Sequence, residues 1–144
     1  MSLVFLVGVD CSECSTRALE YAAERAKLQN AKLLVAHVIE WSPFQFSTVQ
    51  ENEERHKRRE EEIKRAHAEI VDPIVQSLEK QGVVVEGLVR HGHVAETLDD
   101  LAHEFQVTNI MLGRKGASGL RAHLFGTVAS TLVQIADVPV TVVP

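Results

Sequence analysis

Five short apolar runs, each separated from the next by a stretch of helical periodicity, constrain this chain more than any other feature. The runs are Leu3–Asp10, Ala31–Glu40, Val83–Arg90, Thr108–Leu112 and the closing VPVTVV that begins at Val138. The first, LVFLVGVD, is almost continuously apolar, as expected of a strand covered on both faces in a parallel sheet. Strands alternating with helices in the order βαβαβαβαβ require right-handed crossovers, and these lay helices on both faces of that sheet. The expected fold is therefore α/β, a doubly wound sandwich with a five-stranded parallel sheet. At 144 residues the chain fits one domain, residues 1–144, with enough core to need neither disulfide nor metal to fold.

The intervening segments carry start and stop signals. Ser12 or Ser15 can cap a helix on which Ala18, Leu19, Ala22, Ala23 and Ala26 form one face, and that helix should end near Asn30. After the second strand, WSPFQF reads as a loop. From Glu51 the chain is dense in Glu, Arg, Lys and His, yet Ile63, Ala66, Ile70, Ile74 and Leu78 keep one apolar stripe. A long solvated helix explains this, with Pro73 expected to kink or split it and Gly82 to end it. His91, Gly92 and His93 are expected to form a turn. Val94, Leu98, Leu101, Ala102 and Phe105 then mark a further amphipathic helix, and a last one spans about Thr127 to Ala136. Pro139 stands near the start of the fifth strand, where a missing donor is tolerable.

Between the fourth strand and the last helix lies NIMLGRKGASGLRAHLFGTVAST, in which Gly113, Gly116, Gly126 and Thr127 follow the order G-x2-G-x9-G-T. At a strand-to-helix junction, glycines let the backbone approach a ligand closely and take positive φ. The free amides of the helix's first turn, aided by its dipole, attract anions. Phosphate is the natural guest. In doubly wound sheets, ligands sit beyond the carboxyl ends of the strands where the winding reverses. If the strand order is 3-2-1-4-5, the first and fourth strands are neighbours, and Asp10 and Gly113 flank one crevice.

Charge and composition narrow the partners. A net charge of −5 gives no broad basic field for nucleic acid or an anionic membrane, and the apolar N-terminus is interrupted by Asp10 well short of a membrane span. Two cysteines three residues apart are no disulfide framework, so a reducing, cytoplasmic setting is expected.

These residues resemble the universal stress protein family, in particular its ATP-binding branch. The resemblance runs through VGVDCS, AHVIE, GHVAETLDDLAHEF, NIMLGRKG and FGTVASTLVQIADVPVTVV, and the signature G-x2-G-x9-G-[S/T] is matched in full. It implies the strand order 3-2-1-4-5, an adenine nucleotide alpha hydrolase-like sandwich, and binding of ATP, ADP or AMP with Mg²⁺. By position, Val9 and Asp10 would meet the adenine and ribose side, and Val38 and Leu112 would line the same pocket. Gly113, Lys115 and Gly116 would follow the ribose and the first phosphates, with Gly126, Thr127, Val128 and Ser130 at the terminal ones. It also implies a homodimer through the C-terminal strand. Two departures stand out: Cys11, where the family often carries glycine or a bulky residue, and Arg114, where serine or threonine is common. The role implied is a nucleotide-dependent sensor or regulator of the stress response in which nucleotide orders the Lys115–Phe125 loop.

Other constellations point elsewhere. Cys11-Ser-Glu-Cys14 is a C-x-x-C between a strand and a helix and suggests thiol redox chemistry, but the chain lacks the usual aromatic-Cys-Gly-Pro-Cys composition, and two thiols alone do not complete a zinc site. His91 and His93 lack a clear third metal ligand. Slow ATP hydrolysis or phosphoryl transfer would need a base that positions water; Asp10 and His123 are the residues to test, and no convincing base is visible. A Walker lysine followed by Ser or Thr is absent, which argues against P-loop chemistry.

Overall fold

The computed structural model describes residues 2–40, 49–115 and 126–144, with residues 49–52 described in backbone only. The elements are β1 (Val4–Gly8), α1 (Glu13–Gln29), β2 (Lys32–Glu40), α2 (Val49–Ala66), a π-turn (His67–Val71), α3 (Asp72–Lys80), β3 (Val85–Gly92), α4 (Val94–Glu104), β4 (Asn109–Gly113), α5 (Thr127–Ile135) and β5 (Val140–Val143). All strand pairs are parallel, and the sheet order is β3-β2-β1-β4-β5, as the alternation and the resemblance lead one to expect.

Because side chains alternate across a strand, β1 supplies both faces of the sheet. Phe5, Val7 and Val9 join the alanines of α1 and Leu78 of α3 on one side, while Leu6 joins Leu98 and Leu101 of α4 and Leu132 of α5 on the other. Leu6, Leu34, Ile110 and Leu132 are fully buried, each contributing about 1.5–3 kcal/mol by leaving water. Small residues bring α1 close to the sheet, with Ala18, Ala22 and Ala26 buried along one stripe.

Local signals act as their chemistry requires. Ser12 caps α1 by accepting the Ser15 amide at 3.1 Å, and Asn30 closes it in the left-handed region at φ 53°. Gly82 ends α3 at φ 85°. The long charged segment is split as Pro73 demands: the proline falls in the first turn of α3, where its missing amide costs nothing, and a π-turn takes up the join.

One expectation is corrected. His91 and Gly92 form no turn; they continue β3 and pair with Ile39 and Glu40 of β2. Gly92 holds φ 153°, and a side chain there would collide with the Thr97 hydroxyl, so the glycine ends the strand without bending it early. Only His93, at the N-cap of α4, lies beyond the sheet. Among the described residues, no helix is long and apolar enough to cross a membrane.

Candidate functional site

The sheet's winding reverses between β1 and β4, which pair directly from Phe5↔Asn109 to Val7↔Met111. Beyond the ends of these two strands lies a cavity of about 750 Å³, a size that suits a small-molecule ligand. Its apolar part is lined by Val9, Ala36, Val38, Leu98 and Leu112, and its polar part by Asp10, Gly113, Lys115, Gly126 and Thr127. A groove of about 700 Å³ also runs between α1 and α3, lined by residues of those two helices and by Gln81 at the end of α3.

Register determines what the backbone offers to the cavity. Leu33 donates its amide to Val84 on the β3 side, so the odd-numbered peptide groups of β2 face β3 and the even-numbered ones face β1. The β1–β2 ladder ends at Gly8↔Ala36, with one further bond from the Val9 amide to the Ala36 carbonyl at 2.9 Å. The N–H and C=O of Val38 therefore point past the end of β1. In a continuing ladder the Val38 amide would donate to the Val9 carbonyl, but His37 Nδ1 donates to that oxygen instead, at 2.8 Å.

The turn after β1 is tightly bonded. Asp10 Oδ1 accepts from the Ser12 amide at 3.0 Å and the Ser12 hydroxyl at 2.5 Å. The Asp10 amide donates to the buried Ser15 hydroxyl oxygen at 3.1 Å. Cys11, between them, takes a left-handed conformation at φ 65°. Such an Asx-type turn reverses the chain into α1 and fixes the Asp10 carboxylate at the mouth of the cavity.

On the opposite side, the end of β4 holds the start of α5. The Arg114 amide donates to the Val143 carbonyl at 2.8 Å, and the Arg114 carbonyl accepts from the Gly126 amide at 2.6 Å. Gly126 is the N-cap of α5 at φ −68°, ψ 163°, and it has no side chain with which to cap the helix. The Ser130 amide closes the first turn onto the Gly126 carbonyl, so the amides of Thr127, Val128 and Ala129 are those that an α-helix leaves without an intrahelical acceptor. Two of these residues' neighbours, Gly113 and Gly126, have negative or extended backbones and do not use the positive φ that glycine permits. Gly113 is required for another reason: a Cβ there would lie 2.6 Å from the backbone of Cys14.

Val9, Asp10, Val38, Leu112, Gly113, Lys115, Gly126, Thr127 and Val128 thus all line one cavity. Ser130 does not, whereas Thr131 does; Glu40 and Glu96, which sequence reasoning did not single out, join them, as does His93, which the sequence suggested only for a turn or a metal. Gly116, Gly119, Arg121 and His123 lie outside the described residues. Both cysteines are free; Cys14 is buried against Gly113 and its sulfur accepts from Arg17 Nη2 at 3.1 Å, while Cys11 is exposed. His91, rather than standing at a turn, contacts Glu62 at 3.6 Å and the Arg59 carbonyl at 3.3 Å through Nε2. Among the described residues, no three His, Cys, Asp or Glu side chains are grouped to hold a metal.

The model of the universal stress protein family matches this chain from residue 1 to residue 144. The chain belongs to the universal stress protein family. A universal stress protein of Mycobacterium tuberculosis (strain CDC 1551 / Oshkosh) is 30% identical over 158 residues, covering 99% of this chain and 48% of its own length. The chain thus spans about half the length of the first curated relatives it matches. YxiE, a universal stress protein of Bacillus subtilis, is 29% identical and is covered over 96% of its length, as is 96% of this chain. Among solved structures, the hypothetical protein MJ0577 superposes with a TM-score of 0.84 at 23% identity, over 99% of this chain and 96% of that one. A universal stress protein solved with cAMP gives a TM-score of 0.70 at 21% identity, over 99% and 96%. The protein from Archaeoglobus fulgidus solved with dAMP gives 0.63 at 22%, over 100% and 98%. These likenesses concern the fold of this universal stress protein.

Proposed function

We propose that residues 1–144 act as one adenine-nucleotide-binding domain, with ATP as the principal ligand and ADP or AMP as alternatives. One observation carries the reading: an apolar slot, lined by Val9, Ala36, Val38 and Leu112, leads to the uncapped first turn of α5 at Gly126. A purine is flat and apolar with a polar edge, and the open Val38 peptide group meets such an edge. Phosphates are anionic and demand donors, which the amides of Thr127, Val128 and Ala129 and the Lys115 ammonium supply. Gly113 and Asp10 fall where a ribose would link the two ends. Gly116 and Ser130 remain part of the proposed phosphate shell through the matched signature.

The family members solved with cAMP and dAMP support an adenylate. Mg²⁺ suits the oxygen-rich phosphates and would be carried with them. Asp10 Oδ1 is already bonded to Ser12 within its turn, which favours a structural carboxylate over a base that activates water. We therefore assign a sensor or regulator of the stress response, in a cytoplasmic setting; slow hydrolysis remains the alternative.

The assembly proposal rests on β5. Its residues are half-buried, it ends the sheet, and Val133 and Ile135 of α5 are exposed beside it at 56% and 39%. An uncovered edge next to apolar surface is suited to a second copy, and a homodimer through this strand is proposed.

The test is titration calorimetry of the purified protein with ATP, ADP and AMP, with and without Mg²⁺, together with phosphate release. Saturable binding without steady release supports a sensor. Steady release supports the enzyme alternative, and no heat with millimolar adenylates overturns the site.

A further inference from the structure

We propose that His37 is a positioning residue for the base: by bonding the Val9 carbonyl, its Nδ1–H holds that oxygen off the line to the Val38 amide and leaves the amide open to the N1 edge of adenine. This deepens the adenylate reading above and rests on it. His37 is the only ionisable side chain in the interior of β2, among Leu33, Leu34, Val35, Ala36 and Val38, all buried. The half-buried ring gains from a hydrogen-bond partner. It finds one in the Val9 oxygen at 2.8 Å, across the strand pair. A carbonyl oxygen only accepts, so Nδ1 carries the proton.

The consequence follows from the ladder. The Val9 amide still donates to Ala36, and the next bond of a regular parallel pair would run from the Val38 amide to the Val9 oxygen. That bond would consume the donor facing the apolar slot. The imidazole bonds that oxygen, the Val38 amide makes no bond to it, the pairing stops at Gly8↔Ala36, and the Val38 peptide group faces the cavity lined by its own side chain. A purine N1 is an acceptor of the size and direction such an amide requires.

The experiment compares AMP with 1-deaza-AMP, which lacks that acceptor, on the unaltered protein, on His37→Leu and on His37→Asn. The asparagine amide can donate from nearly the same place as Nδ1. The unaltered protein and His37→Asn should prefer AMP by about tenfold, the discrimination expected of one hydrogen bond to a buried donor. His37→Leu should bind both analogues alike, because the Val38 amide is free to pair with Val9. A folded His37→Leu that keeps the full preference, or an unaltered protein that shows none, overturns the role of His37. If His37→Leu does not fold, amide exchange and imidazole nitrogen shifts of the unaltered protein without ligand decide. A fast-exchanging Val38 amide with an Nδ1–H ring supports the proposal; a protected Val38 amide or an Nε2–H ring overturns it. Failure of AMP itself to bind the unaltered protein would overturn the adenylate reading and is thereby distinguished from failure of His37.

Discussion

Gly113 stands so close to Cys14 that a methyl group on its α-carbon would lie 2.6 Å from both the carbonyl carbon and the Cβ of that residue. Its place in the signature thus has a packing cause as well as any ligand-binding one, because α1 crosses the end of β4 at backbone contact.

Gly113→Ala is accordingly expected to destabilise the protein by about 1–3 kcal/mol, the usual cost of overpacking where backbone must move. Urea denaturation would show a lower midpoint at unchanged slope. If stability were unaffected and nucleotide binding alone lost, the packing account of this glycine would be wrong.

Thr127→Pro separates helix stability from anion binding. Proline is accepted at the first position of a helix, and the preceding Gly126, at ψ 163°, already has the extended geometry that a following proline demands. The substitution removes one open amide and should leave thermal stability nearly unchanged while weakening ATP binding by about tenfold. Thr127→Ala, which removes only the hydroxyl, serves as the comparison in the same calorimetric titration.

Ser12 joins the Asp10 turn to the start of α1, accepting from Ser15 and donating to Asp10. Ser12→Ala should cost about 1 kcal/mol, as losing an N-cap generally does. Since the same change removes the hydroxyl donor from Asp10 Oδ1 and leaves only the residue-12 amide bonded to it, it should also loosen the mouth of the cavity. Amide exchange of residues 10–16 is the measurement, and unchanged protection would count against this linkage.

For the proposed dimer, Val142→Pro is the informative change. Val143 and Pro139 direct their carbonyls to β4, so the alternate residues Val140 and Val142 face outward. A proline at 142 removes an outward donor and spares the ladder to β4. Light scattering should find a folded monomer where the unaltered protein is a dimer; a persisting dimer would remove β5 from the interface.

Much of this arrangement is legible in the sequence because it depends on local rules. Continuous apolar runs mark buried parallel strands, Asn30 and Gly82 stop helices, and the spacing from Gly113 to Thr127 marks the crevice. What escapes is long-range. Gly92 reads as a turn because glycine usually breaks strands, and only the neighbouring Thr97 and the pairing with Glu40 show why it stays extended. His37 carries a visible signal, a polar residue inside AKLLVAHVIE, but its acceptor lies 28 residues away on another strand. Glu40 reaches the cavity from the end of β2, and His93 and Glu96 reach it from the start of α4, so Glu40 meets the other two only through the fold.

The π-turn at His67–Val71 has a further consequence. A π-turn holds one residue more than the α-helical turn it replaces, so deleting a single residue there would change the phase of α2 relative to α3, with Pro73 still interrupting the helix at the join. Everything before the deletion would swing by about 100° around the axis. Ile63 and Ala66 now pack near Val89; after such a swing the charged flank would face the sheet's edge in their stead, so one surplus residue aims the whole acidic-and-basic arm.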